Sequence, residues 1–207
     1  MSVPMKRTIK CPKCGQELSY TQWGSINSNE KDAAKRIISG ELLNVVCQNC
    51  GCSFYVDYPF LFNDMDHGYF LWYCRQDKID EVLRSCTMVR NSQCRITTDL
   101  MRMREKTDII NAGYDDRVIE LMKVFVRDEM ETRTGKVPDQ IFFLSNDGTP
   151  CYEVVSDDQV SHVAAIDGSY EYAKEMYADS FDAFDKYAYF VDEKWAEQFL
   201  SFFEKNE

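Results

Sequence analysis

Apolar positions along this chain change period more than once, and each change marks an element. After Gly15, Leu18 and Tyr20 alternate with polar neighbours, the period of a half-buried strand. Asn29 then stands as the cap of a helix whose apolar side is Ala33, Ala34, Ile37 and Ile38. Lys35 and Arg36 fall in its last turns and Gly40 stops it. Leu42 to Val46 reads as a strand running into Cys47, and further strands are expected at Cys52–Asp57, Tyr58–Phe62 and Tyr69–Cys74. The last two flank Asn63 to Gly68, a polar run suited to a hairpin connection.

From Thr97 the period becomes helical. Asp99 caps a helix through Leu100, Met103 and Ile110 that ends at Gly113, and Asp115 or Asp116 opens the next. That second helix carries Val118, Ile119, Leu121, Met122, Val124, Phe125, Val126 and Met130, apolar around most of its circumference, so it belongs in a core. Thr132 to Pro138 is the best linker. Strands follow near Gln140–Leu144, Cys151–Val155 and His162–Ile166, with turns at Asn146-Asp147-Gly148 and Asp167-Gly168. A helix near Tyr170–Tyr177 comes next. A closing helix, capped by Asp192, places Trp195, Phe199, Phe202 and Phe203 on one face. The expected class is α+β in two parts. Residues 1–134 would hold a four-cysteine ribbon (8–57), a β-hairpin (58–75) and helices (97–132), and residues 138–207 a small α+β domain.

The 207 residues, 44% hydrophobic and 14% aromatic, suffice for a real core and exclude a wholly disordered chain. No apolar run follows Lys6, Arg7 and Lys10, and the longest apolar stretches fall far short of a bilayer span, so a cytoplasmic protein without a membrane partner is expected. The net charge of −11 is unevenly placed: residues 1–57 balance at +2, residues 58–112 are neutral, and residues 113–207 reach −13. The overall charge therefore says little about the N-terminal surface.

The nine cysteines carry the one strong chemical signal. Cys11-Pro12-Lys13-Cys14-Gly15 and Cys47-Gln48-Asn49-Cys50-Gly51 are two Cys-x-x-Cys turns. The spacing lets both thiolates of each turn reach one metal, and Gly15 and Gly51 permit the positive φ that aims backbone amides at the sulfurs. Together they make a closed four-thiolate site, for which structural zinc is the expectation and iron in a similar pair of turns the alternative. Dithiol redox chemistry wants the first cysteine at a helix N-terminus, whereas a strand follows here. Cys52, Cys74, Cys86, Cys94 and Cys151 show no ligand pattern and read as non-ligands, Cys52 as a buried thiol.

These paired motifs, the strand–helix stretch between them, Val56-Asp57-Tyr58-Pro59-Phe60-Leu61 and the aromatic strand after it resemble the CpXC domain proteins over about residues 10–130. The family name carries a proline in each motif, whereas the second motif here has Gln48, a change in turn rigidity that removes no ligand. The resemblance implies a bacterial, cytoplasmic, zinc-ribbon-like domain and adds no activity.

Other candidates have simpler structural explanations. Asp64, Asp66 and His67 suit a hairpin turn, and Asp115, Asp116 and Glu120 suit a helix start, before either set suits metal binding or acid–base work. Tyr69 to Tyr73 reads as a strand covered on both sides. Three functional readings follow. The first is a zinc-stabilised scaffold with a protein partner, drawn by the acidic and aromatic run from Tyr177 to Glu193. The second is nucleic-acid binding through Lys6, Arg7, Lys10 and Lys13 beside the first metal turn. The third is an enzyme using carboxylates from Asp64, Asp66, Asp115 or Asp116; the absence of a nucleophile triad or phosphate loop in the sequence ranks it last.

Overall fold

The alternation after Gly15 extends further than its first residues suggest, into strand β2 (Glu17–Asn27), in the computed structural model, which describes residues 2–86, 93–146 and 149–205. Its partner is a strand for which the sequence analysis gives no expectation. Strand β1 (Val3–Lys10) pairs antiparallel with β2 from Val3 opposite Ser25 to Lys10 opposite Glu17. Its mixed, basic sequence shows no alternation because most of it is exposed on both faces. Between β2 and the next strand of the same sheet, the chain makes an excursion. Helix α1 (Ala33–Ile38) buries Ala33 and Ile37, and its N-terminal residue is Asp32 in the left-handed region rather than the expected Asn29. Gly40, at φ 76°, donates to the Ile37 carbonyl and closes it. A short 3-10 turn, Glu41–Leu43, replaces the first half of the expected strand. Strands β3 (Asn44–Val46) and β4 (Ser53–Tyr55) then pair antiparallel.

The chain returns to the sheet as β5 (Phe60–Asp64) and β6 (Tyr69–Tyr73), the expected hairpin. Phe60 and Phe62 of β5 and Tyr69, Leu71 and Tyr73 of β6 are buried, whereas Phe70 and Trp72 are only half-buried. Strand β6 is thus covered fully on one face, not on both. Helix α2 (Ile79–Cys86) and strand β7 (Gln93–Thr97), which the sequence reading did not find, follow. Strand β7 pairs parallel with β6, and β2 pairs parallel with β5, giving a mixed sheet in the order β1-β2-β5-β6-β7 among the described residues.

Helix α3 (Leu100–Asn111) starts where expected, with the Asp99 carboxylate accepting from the amides of Met101 and Arg102. The chain divides into two compact units, Met1–Thr107 and Asp108–Glu207. This division falls earlier than the Thr132–Pro138 linker suggested by the sequence. The reason is packing: helix α4 (Asp116–Thr134) buries Val118, Ile119, Leu121 and Met122 in the core of the second unit. Asp115 caps α4, and Gly135, at φ 72°, ends it.

In that unit, β8 (Gln140–Asn146), β9 (Thr149–Ser156) and β10 (Gln159–Ala164) form an antiparallel meander. The expected Asn146-Asp147-Gly148 turn lies partly outside the described residues. The β9–β10 turn is made by Asp157 and Asp158, both at positive φ, and places β10 a few residues before its expected position. Helix α5 (Ser169–Asp185) is longer than expected, and α6 (Glu193–Phe203) is capped by Asp192, whose carboxylate accepts from the Trp195 amide at 2.9 Å. Trp195 stacks on Phe199 at 5.5 Å, and Tyr177 and Phe181 of α5 lie 5.5 and 5.0 Å from the same ring. Much of the acidic, aromatic run therefore builds core; Tyr187 and Phe190 remain exposed. No helix among the described residues is long and apolar enough to cross a membrane.

Because Phe199 is fully buried at the centre of these rings, Phe199→Ala is expected to cost about 3–5 kcal/mol. Asp192→Ala, which removes one cap, is expected to cost about 1 kcal/mol. Urea midpoints of the two variants measure the difference, and equal losses would contradict this core.

Candidate metal centre

Both Cys-x-x-Cys motifs sit at the tips of β-hairpins. Lys10 opposite Glu17 leaves residues 11–16 as the loop between β1 and β2, and Val46 opposite Ser53 leaves residues 47–52 between β3 and β4. The two loops fold identically. In the first, the Cys11 amide donates to the Gln16 carbonyl and the Gly15 amide to the Cys11 carbonyl. In the second, the Cys47 amide donates to the Cys52 carbonyl and the Gly51 amide to the Cys47 carbonyl. Gly15 and Gly51 adopt φ of 72° and 69°, as the turn requires. Gln48 in place of a second proline leaves this bonding unchanged.

The loops bring Cys11, Cys14, Cys47 and Cys50 together, with all four sulfurs within 4.8 Å of one another. The Cys11–Cys50 and Cys14–Cys47 sulfur pairs are each 3.7 Å apart. A tetrahedron with thiolate–metal bonds of about 2.3 Å has edges of about 3.8 Å, so the spacing suits one ion at the centre. Cys11 and Cys47 are buried, Cys50 is partly buried and Cys14 is exposed, so the cluster faces solvent on one side.

These thiols do not titrate alike. The Asn49 side-chain amide donates to Cys14 Sγ at 3.5 Å and, with the Gln16 amide, holds its pKa down to about 6. At Cys11, burial is outweighed by the amides of Cys14 and Lys13, and the pKa is lowered. At Cys50 the Cys52 amide favours the thiolate, but burial and the neighbouring sulfurs of Cys14, Cys11 and Cys47 win and push the pKa up to about 12. Four sulfurs so close compete to carry negative charge, and a central dication relieves that competition.

Cys52 is only half-buried, contrary to expectation, and lies beside the cluster without joining the four; burial and Cys11 raise its pKa. Cys74, Cys86 and Cys94 are buried away from it, with the Cys94 thiol donating to the Cys86 carbonyl at 3.8 Å. The four basic candidates are all exposed but do not form one surface. Lys6 and Lys10 share one face of β1 and Arg7 takes the other, because side chains alternate along a strand. Lys13 sits in the first loop, and Lys6 donates to the Thr21 hydroxyl at 3.1 Å.

Among the carboxylates, Asp64 is buried in the β5–β6 turn, accepts from the amides of Asp66 and His67, and pairs with His67 Nδ1 at 2.9 Å. It holds the turn. Asp115 accepts from the Arg117 amide and guanidinium. Asp116 and Glu120 lie in the first turns of α4, as the sequence suggested, but not at its surface. Both are fully buried with Lys123, one helical turn apart along α4, and Glu120 pairs with Lys123 at 2.9 Å. The signal for this polar seam was present as charges at i, i+4 and i+7 on a helix otherwise read as apolar.

Replacing Asn49 by Ala removes the amide that favours the Cys14 thiolate. Protons then compete better for that sulfur, so metal release on acidification should move to higher pH and affinity should fall about tenfold. Dye-coupled release across a pH series measures this, and an unchanged release curve would contradict the role given to Asn49. Gly51→Ala meets no neighbour within 4 Å, so its expected cost is the backbone strain alone, about 1 kcal/mol.

Comparison with curated proteins and with solved structures finds no match. Residues 9–123, which contain both cysteine loops and the five-stranded sheet from its second strand onward, match the family described as CpXC protein. With more than half of its length covered by that match, the chain belongs to the CpXC family.

Proposed function

We propose that the four cysteines hold a single structural zinc ion and that the protein is a zinc-stabilised interaction module whose partner is another protein. The observation that carries this reading is the sulfur tetrahedron itself. All four positions around the ion are supplied by Cys11, Cys14, Cys47 and Cys50, leaving no coordination site for water or substrate. Zinc supplies cross-linking there, joining two hairpin tips that lie far apart in sequence. Iron in the same four thiolates is the alternative, distinguished by its visible absorption.

The placement of the basic residues supports a protein partner over nucleic acid. Lys6 and Lys10 face away from Arg7, and Lys10 lies opposite Glu17, so no single face of the ribbon gathers the full set. The exposed side of β1 that carries Lys6 and Lys10 is what favours the second reading, nucleic-acid contact through the ribbon.

Metal analysis of purified protein is expected to give one zinc per chain, lost together with cooperative unfolding of the first unit when Cys47 is replaced by Ser. Affinity purification with and without nuclease separates the two functional readings. A specific protein retained after nuclease is the expected result. Loss of bound material with nuclease, together with release by modest salt and by neutralising Lys6 and Lys10, would overturn it in favour of nucleic acid.

A further inference from the structure

The second unit has an open apolar groove that the metal centre does not use. Its walls are α4, through Phe125 and Met130, and α5, through Tyr172 and Met176. Tyr152 and Val163 of the meander lie at its base, and its volume is about 550 Å³. Tyr152 is buried, whereas Phe125 and Met176 are exposed and Tyr172 is 68% exposed, so the groove has a packed floor and bare aromatic and methionine edges. Such edges are enriched where proteins bind one another, and methionine adapts its shape to the surface it meets.

Charge decides the occupant. Glu175 and Asp179 are exposed and follow the Tyr172–Met176 edge along α5, while the exposed Asp128 lies one turn from Phe125 on α4. Glu129 and Arg133, which both line the groove, pair with each other and cancel, and Lys174 lies over the Tyr170 ring, so the unpaired sign along these edges is set by Asp128, Glu175 and Asp179. Acidic borders around an apolar trough match a segment that is apolar on one face and basic on the other. A helix presents that pattern, with anchors at i, i+3 or i+4, and i+7. The volume is enough for roughly three large apolar side chains, the number such a face inserts.

We propose that this groove is the docking site for a basic amphipathic helix of the partner protein. The proposal rests on the interaction-module reading above and locates it on the second unit. The Tyr172 and Met176 edge supplies the apolar anchor contacts, and the acidic rows on α4 and α5 meet the lysines and arginines beside them.

The test is titration of the full-length, metal-loaded protein with a labelled peptide of about 14 residues, leucines on one helical face and lysines on the other, followed by fluorescence anisotropy. The same peptide with glutamates replacing the lysines is the control. The expected result is binding of the lysine peptide, at least tenfold weaker in the Tyr172→Ala/Met176→Gln double variant, with the glutamate peptide much weaker still. Both substitutions lie on the exposed edge, so the variant should keep its melting midpoint. No binding of the lysine peptide, equal binding of both peptides, or unchanged binding by the variant would each overturn the proposal. So would an apolar dye that occupies the groove and is not displaced by the peptide, which would mark a small-molecule site. Repeating the nuclease-treated purification with the double variant separates the two levels of the argument. A partner still retained by the variant overturns the groove and leaves the module reading standing, whereas no partner with either protein overturns the module reading.

Discussion

Four sulfurs 3.7 to 4.8 Å apart cannot all carry negative charge unless a cation lies among them, and the first unit is built around that constraint. Strands β3 and β4 are three residues each, far too short to hold a hairpin in water alone. Tyr58, whose hydroxyl donates to the Leu42 carbonyl at 3.0 Å, ties the base of that hairpin to the chain. At its tip Cys47, Asn49 and Cys50 meet Cys11 and Cys14. An ion held in the tetrahedron would therefore also cross-link the tip.

The topology explains why such a cross-link is useful. Strands β2 and β5 are parallel neighbours, so the chain must leave the sheet after Asn27 and travel back before re-entering at Phe60. Helices commonly make this return, but here α1 is only Ala33–Ile38 and the rest is the β3–β4 hairpin. A metal joining that hairpin to the β1–β2 tip would close the crossover at its far end. It would also anchor the tip of β1, an edge strand that carries Pro4 and lysines, residues that blunt an edge. The second crossover, between β6 and β7, carries helix α2, the usual device for joining parallel strands.

What was legible in the sequence follows from how local its causes are. The two cysteine loops depend on spacing and on one glycine each, and both were readable in full. The caps Asp99, Asp115 and Asp192 and the stop Gly40 act within a turn of their own helix, so those ends were readable too. Strand β1 was not, because exposure on both faces erases alternation and only pairing with β2 makes it a strand. Strand β7, Gln93–Thr97, is buried along most of its length although it contains Arg95, and its order comes from lying beside β6. The burial of Asp116, Glu120 and Lys123 was not legible either, because a charged residue at a helix start reads the same whether or not tertiary packing covers it. The early boundary between the units was hidden likewise, since α4 declares its allegiance through contacts with β8 and α6 rather than through its flanking linker.

The division of charge along the chain bears on how the two candidate surfaces can work. A net charge of −11 suggests that polyanions are excluded, yet residues 1–57 balance at +2 while residues 113–207 carry the excess. At physiological ionic strength, fields between exposed charges fade over about 8 Å, so each surface presents its own local sign to a partner. On the β1–β2 ribbon that sign is weak, because alternation sends its cations to opposite faces and Glu17 offsets Lys10. Along one side of α5 it is negative, because successive turns bring the exposed Glu171, Glu175 and Asp179 there. For the docking proposed above, selectivity would depend on two conditions met together, apolar anchors to fill the trough and positive charge to match its borders. A neutral apolar segment would satisfy only the first and a polycation only the second, and that pairing of demands is how an exposed, adaptable surface could be specific.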